Sequence, residues 1–296
     1  MFTVKTLNKI AKVGLDRLNK NYFPQDDEAA DPAAILVRSA KMLDYAPNPA
    51  LLCVARAGAG YNNIPVDDYA AKGVVVFNTP GANANAVKEL AVCALILASR
   101  DVVGGIEWCK TIADKGDEVA ALVEKGKSNF VGPELLGKTL GLIGLGNVGA
   151  KVANAASALG MKVLGYDPYL SDALRQQLAG VAEIVDDLDA LYAASDYISL
   201  HLPYTKDTAD TICKASIAKM KDGVRIINIA RGELVNDAEM AEALASGKVA
   251  RYVTDFPNGN TVKMAGCVAI PHLGASTPES EDNCAVMAAD QVSRYL

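Results

Sequence analysis

Two histidines occur in the 296 residues, and one of them, His272, follows the apolar run CVAIP. An imidazole titrates near neutrality, so it can take a proton and give it back. Arg231 likewise follows an apolar run directly, VRIINIA. A guanidinium can grip a carboxylate through two parallel hydrogen bonds and polarise the carbonyl beside it. A proton carrier and an anion clamp are what hydride transfer to or from a hydroxy acid requires. Either residue alone reads more readily as a solvated or structural side chain; together, on a cofactor domain, they reinforce each other.

A third group would bind a cofactor. The stretch LGLIGLGNVG (140–149) carries G-x-G-x-x-G as Gly144, Gly146 and Gly149, flanked by Asn147 and Val148. An apolar strand precedes it, a helical stretch follows it, and the next strand, KVLGYD, ends in Asp167. In that context the first glycine makes a tight turn, the second lets a pyrophosphate approach the backbone, and the third lets helix and strand pack closely. The N-terminus of the following helix offers N–H groups and partial positive charge to the phosphates. Asp167 can accept hydrogen bonds from a ribose and would repel a 2′-phosphate, which favours NAD over NADP. His201, inside YISLHLP, reads as structural or as a wall of the cofactor site. Pro203, Ala230 and Gly274 are expected beside the cofactor. No metal site is expected.

These residues need a scaffold that brings strand ends together, and the pattern supplies one. Strands are predicted at 33–39, 51–58 and 73–81, then at 139–144, 162–167, 181–185, 197–203, 224–230, 251–256 and 267–272. Their apolar runs do not alternate with polar residues, which marks parallel sheets covered on both faces by helices. One helix is expected over 85–99, with apolar residues at 87, 90, 91, 94, 95 and 98, and others at 186–195 and 237–250. Segment 100–135 reads as less regular and more charged. The last twenty residues read as a helix capped by Thr277, with Pro278 in its first turn.

A net charge of −6 offers no basic stripe for nucleic acid. The apolar run LAVCALILA is too short to span a bilayer, and the N-terminus lacks a signal-peptide core. Six scattered cysteines, two of them in the apolar contexts LLCVA and AVCAL, read as buried free thiols of a reducing compartment. A cytoplasmic protein is expected.

Taken in order, GLIGLGNVG, GYDP, NIARGELVND, TDFP and PHLGAST resemble the D-isomer-specific 2-hydroxyacid dehydrogenases over nearly the whole chain. ARAGAGYNNIP (55–65) and VFNTPGANANAVKEL (76–90) narrow the likeness to members that oxidise 3-phosphoglycerate to 3-phosphohydroxypyruvate. The resemblance implies an α/β fold of two Rossmann-like parallel-sheet domains, the cofactor domain inserted into the substrate domain. Residues 1–84 and 275–296 would form the substrate domain and 85–274 the NAD domain, with the active site in the cleft. It further implies Arg231 as the substrate-orienting arginine, His272 as general acid/base and Asp255 facing the nicotinamide carboxamide. The backbone of Ala57, Gly58, Ala59 and Gly60 would receive the substrate carboxylate. A homodimer or homotetramer is implied as well.

The family normally places a glutamate, in a D-V-F-x-x-E-P pattern, to pair with its histidine. Here the stretch reads DFPNGNTVK, and no acid occurs between Asp255 and Glu279. Either another acid reaches His272 or the histidine works without one. Lys88, expected in the first turn of its helix, sits where the macrodipole disfavours a cation. It could serve a substrate phosphate together with Arg38 or Arg56, or simply extend into solvent. Reductases of glyoxylate or hydroxypyruvate, and an NAD-responsive binding protein, stand as alternatives.

Overall fold

The computed structural model describes residues 1–296. The chain divides into two compact units, Met1–Ala86 with Ala275–Leu296, and Val87–Gly274 inserted between those two parts. Each unit is built on a wholly parallel sheet, as the strand pattern predicts.

In the first unit β1 (Val4–Thr6), β2 (Ala34–Val37), β3 (Cys53–Arg56) and β4 (Val75–Phe77) lie in that spatial order. The short helices α1 (Lys12–Leu15) and α2 (Val66–Ala71) join them, and the C-terminal helix α11 (Pro278–Tyr295) returns to this unit. Thr277 caps α11, its side chain accepting the Ser280 N–H. The apolar stripe Cys284, Ala285, Ala288, Ala289 and Val292 packs α11 into the core formed by Val4, Leu36, Cys53 and Ala55.

Helix α3 (Ala84–Ser99) leads into the second unit, followed by α4 (Val102–Thr111) and α5 (Val119–Gly126). The expectation of an irregular 100–135 segment is therefore corrected. The reason is visible in α4, which buries no residue and so carries no core-facing stripe to detect. Cys93, in AVCAL, is exposed on α3 rather than buried, and Cys109 is exposed too; all six cysteines are free.

The remaining elements are β5 (Thr139–Ile143), α6 (Asn147–Ala158), β6 (Lys162–Tyr166), α7 (Asp172–Gln177), β7 (Glu183–Ile184), α8 (Leu188–Ala194), β8 (Tyr197–Leu200), α9 (Lys214–Lys219), β9 (Val224–Asn228), α10 (Asp237–Ala245), β10 (Val249–Thr254) and β11 (Cys267–Ala269). The strand order is β11-β10-β9-β8-β5-β6-β7. Helix α10 stops at Ala245, earlier than the expected 250, because Gly247 takes a positive φ of 77° and Val249 already belongs to β10. Most strands are also shorter at their C-terminal ends than expected, which leaves His201, Pro203, Asp255 and His272 in the loops beyond them. Two apolar clusters cover the sheet, one containing Leu140, Leu142, Val152 and Val253, the other Ile143, Ile198, Ile226 and Tyr252. No helix of the protein is long and apolar enough to cross a membrane.

Candidate active site

In the seven-stranded sheet the order reverses at β5, whose neighbours β6 and β8 lead to opposite edges. Parallel sheets bind ligands outside the carboxyl ends of their strands at such a switch point. Beyond β5 the chain turns through Gly144, at φ +92°, where a Cβ would lie 2.6 Å from the His201 carbonyl oxygen. At Gly149 a Cβ would come 2.0 Å from the Gly144 carbonyl oxygen, so only glycine allows this contact. At Gly146 a Cβ would meet nothing within 4 Å, so the loop is open there. Gly146 is also the N-cap of α6, and no side chain caps the N–H groups of Asn147, Val148 and Gly149. This cradle of open backbone and uncapped donors suits a pyrophosphate.

Asp167, after β6, already holds the loop: its carboxylate oxygens accept from the Leu145 and Tyr169 N–H groups, each at 2.9 Å. A carboxylate oxygen has more than one acceptor site, so a ribose hydroxyl can still be received. His201, after β8, is hydrogen-bonded through Nε2 to Ser199 Oγ at 2.9 Å, and burial lowers its pKa to about 4. It is thus neutral at physiological pH. Pro203 lies exposed in the same loop, its carbonyl accepting from Thr208 Oγ1.

At the end of β9, the fully buried Asn228 fixes the turn that carries Arg231. Its Oδ1 accepts the N–H groups of Ala230 and Arg231, and its Nδ2 donates to the Arg231 carbonyl at 2.8 Å. Sequence reasoning missed Asn228, although a polar residue closing a buried strand was a usable signal. The Arg231 guanidinium bonds the Ala230 carbonyl at 2.6 Å.

Beyond β10, Asp255 is 1% exposed. Its Oδ2 accepts the Gly274 N–H at 3.1 Å, while its buried Oδ1 meets no donor within the protein. Desolvation raises its pKa, opposed by the Gly274 N–H and by the nearby charges of His272 and Arg231. An orphaned buried acceptor beside the candidate hydride site fits the amide of a nicotinamide. The exposed His272, beyond β11, packs against Phe256 with ring centroids 4.6 Å apart. Arg231, Asp255 and His272 therefore converge from three adjacent strands.

In the first unit, Ala57–Gly60 follow β3. Their backbone is held from behind: Thr79 N–H donates to the Gly58 carbonyl, Asn78 Nδ2 to that of Ala59, and Gln291 Nε2 of α11 to that of Asn78. Arg56 lies across Gly58, where a Cβ would sit 2.3 Å from Nη1, and its Nε bonds Asn63. Arg38 departs from the expected anion cluster, since its Nη1 lies 2.7 Å from Glu281 Oε1. Lys88 departs as well. Helix α3 starts at Ala84, which places Lys88 just past the first turn, 3.6 Å from Glu89 Oε1.

Residues 105–274 match the family model described as D-isomer specific 2-hydroxyacid dehydrogenase, NAD binding domain. The chain is 41% identical over 275 residues to D-3-phosphoglycerate dehydrogenase of Mycobacterium bovis, covering 89% of this chain and 49% of that protein. The chain thus spans about half the length of that relative. Hydroxypyruvate reductase of Thermotoga maritima is 39% identical over 255 residues, 83% of this chain and 78% of that one. The crystal structure of NAD+-bound 3-phosphoglycerate dehydrogenase of Entamoeba histolytica superposes with a TM-score of 0.77 at 26% identity, covering 99% of this chain and 95% of that one.

Proposed function

The chain belongs to the D-isomer specific 2-hydroxyacid dehydrogenases, and from that premise we propose that it oxidises 3-phosphoglycerate to 3-phosphohydroxypyruvate, the first step of serine synthesis. The observation that carries the chemical part of the reading is the convergence of Arg231, Asp255 and His272 beyond β9, β10 and β11. NAD, when bound, supplies the hydride acceptor. His272 would take the C2 hydroxyl proton as the hydride leaves that carbon, and return a proton in the reverse direction. Arg231 would hold the substrate's carboxylate and polarise the forming carbonyl. The N–H groups of Ala57–Gly60 would receive the same carboxylate, and Arg56 would face the phosphate.

One observation favours a second reading. The pairing of Arg38 with Glu281 takes up a cation that a phosphate would need, which suits an uncharged substrate tail such as that of hydroxypyruvate. NADH oxidation with 3-phosphohydroxypyruvate, run beside hydroxypyruvate and glyoxylate, separates the two. The expected result is a kcat/KM at least about tenfold higher for the phosphorylated acid, equivalent to one good charge-assisted contact. Equal use of all three would sink the phosphoglycerate assignment, and no turnover with any would favour an NAD-responsive binding protein.

The free cysteines support work in a reducing compartment, the cytoplasm. A second copy of the chain would cover α4, where Val102, Val103 and Ile106 are 39%, 40% and 52% exposed beside a pocket lined by Trp108, Val123 and Phe130. Sedimentation of Ile106→Glu should then give a smaller species than wild type. An unchanged species would place the contact elsewhere.

A further inference from the structure

We propose that Phe256 is a positioning residue, whose ring holds the His272 imidazole and the Arg231 guanidinium in their working arrangement. The inference rests on the dehydrogenase reading above and concerns how its two reactive side chains are kept in place.

Phe256 packs against one group and lies beside the other. Its ring meets that of His272 at 4.6 Å with the planes inclined by 45°, and Arg231 Cζ lies 6.0 Å from its centroid. Its backbone and Cβ are held from two sides. Its own N–H donates to Thr254 Oγ1 at 3.1 Å, which anchors the backbone at the end of β10. At Gly232 a Cβ would stand 3.5 Å from Phe256 Cβ, so the turn that carries Arg231 packs against the same residue.

Arg231 and His272 both stand beyond strand ends, where backbone alone leaves long side chains several rotamers. A flat ring in contact with an imidazole restricts rotation about its Cβ–Cγ bond, and the face of an aromatic ring attracts a cation. One ring bearing on both groups sets their separation.

The test compares Phe256→Leu, which keeps apolar bulk and removes the ring, with Phe256→Tyr, which keeps the ring. Phe256→Leu should lower kcat about tenfold, the scale of a small misplacement of reacting groups, with the KM for NADH within about twofold of wild type. Phe256→Tyr should restore most of the lost turnover. The ring protons of His272, one of two histidines, should shift in the Leu variant through loss of the ring current and stay in place in the Tyr variant. Turnover of Phe256→Leu equal to wild type would overturn the inference while leaving the dehydrogenase reading intact. So would equal impairment of both variants. No turnover by the wild type on any 2-keto acid would overturn the reading and the inference together.

Discussion

Replacing His272 by asparagine should lower turnover by about a thousandfold, within the 10²–10⁴ range that a positioned proton carrier contributes, while NADH still binds. Asparagine keeps a polar side chain of similar size and can accept or donate a hydrogen bond. It cannot exchange a proton at neutral pH. The other histidine cannot take over that role: His201 is held neutral, its pKa lowered to about 4 by burial, and is engaged by Ser199. The loss should not reflect unfolding, because His272 is exposed and surface substitutions usually change stability by no more than about 0.5 kcal/mol. Quenching of protein fluorescence by NADH, thermal melting and kcat in both directions separate the possibilities. A variant retaining a tenth of wild-type turnover would remove His272 from the proton-transfer step.

The parts of the site that were legible in the sequence share one property: their signal is local. Gly144, Gly146, Gly149 and Asp167 fall within one strand–helix–strand unit, so spacing alone carries their meaning. Arg231 and His272 could be read because a buried parallel strand announces its own end. Phe256 makes a contact that no spacing rule encodes, since the imidazole and the aromatic ring meet across two strands. The link from Gln291 to Asn78 spans 213 residues and has no local trace. Helix α4 escaped for the opposite reason: its apolar residues face outward, so the period that marks a core-facing helix is absent. The anion reading of Arg38 omits the Glu281 carboxylate that the fold brings to it across 243 residues.

Asp255→Asn should make the protein less active and, as pH rises, progressively more stable relative to wild type. The acid sits 1% exposed, with one oxygen bonded to the Gly274 N–H and the other without a donor in the protein. Desolvation raises its folded-state pKa above the ordinary carboxylate value, outweighing the Gly274 hydrogen bond and the charges of His272 and Arg231. A raised pKa means that the native state holds this proton more readily than the unfolded chain does. Stability from this group is therefore fully present below the unfolded pKa and is lost as pH climbs through the folded one. Asparagine has no such titration, so the difference in Tm, variant minus wild type, should grow across that window and level off above it. The amide's own burial adds a constant independent of pH, which makes the slope the diagnostic quantity. Activity should move the other way. Under the proposed function the orphaned Oδ1 awaits an amide donor, and exchanging an acceptor for an NH₂ group there costs about 1–3 kcal/mol, or about 5- to 150-fold in kcat/KM. Melting curves from pH 4 to pH 8, with kcat/KM at neutral pH, test both halves. A Tm difference that is flat with pH would show that Asp255 carries no desolvation penalty in the folded protein. Full activity would show that its carboxylate serves neither cofactor nor histidine.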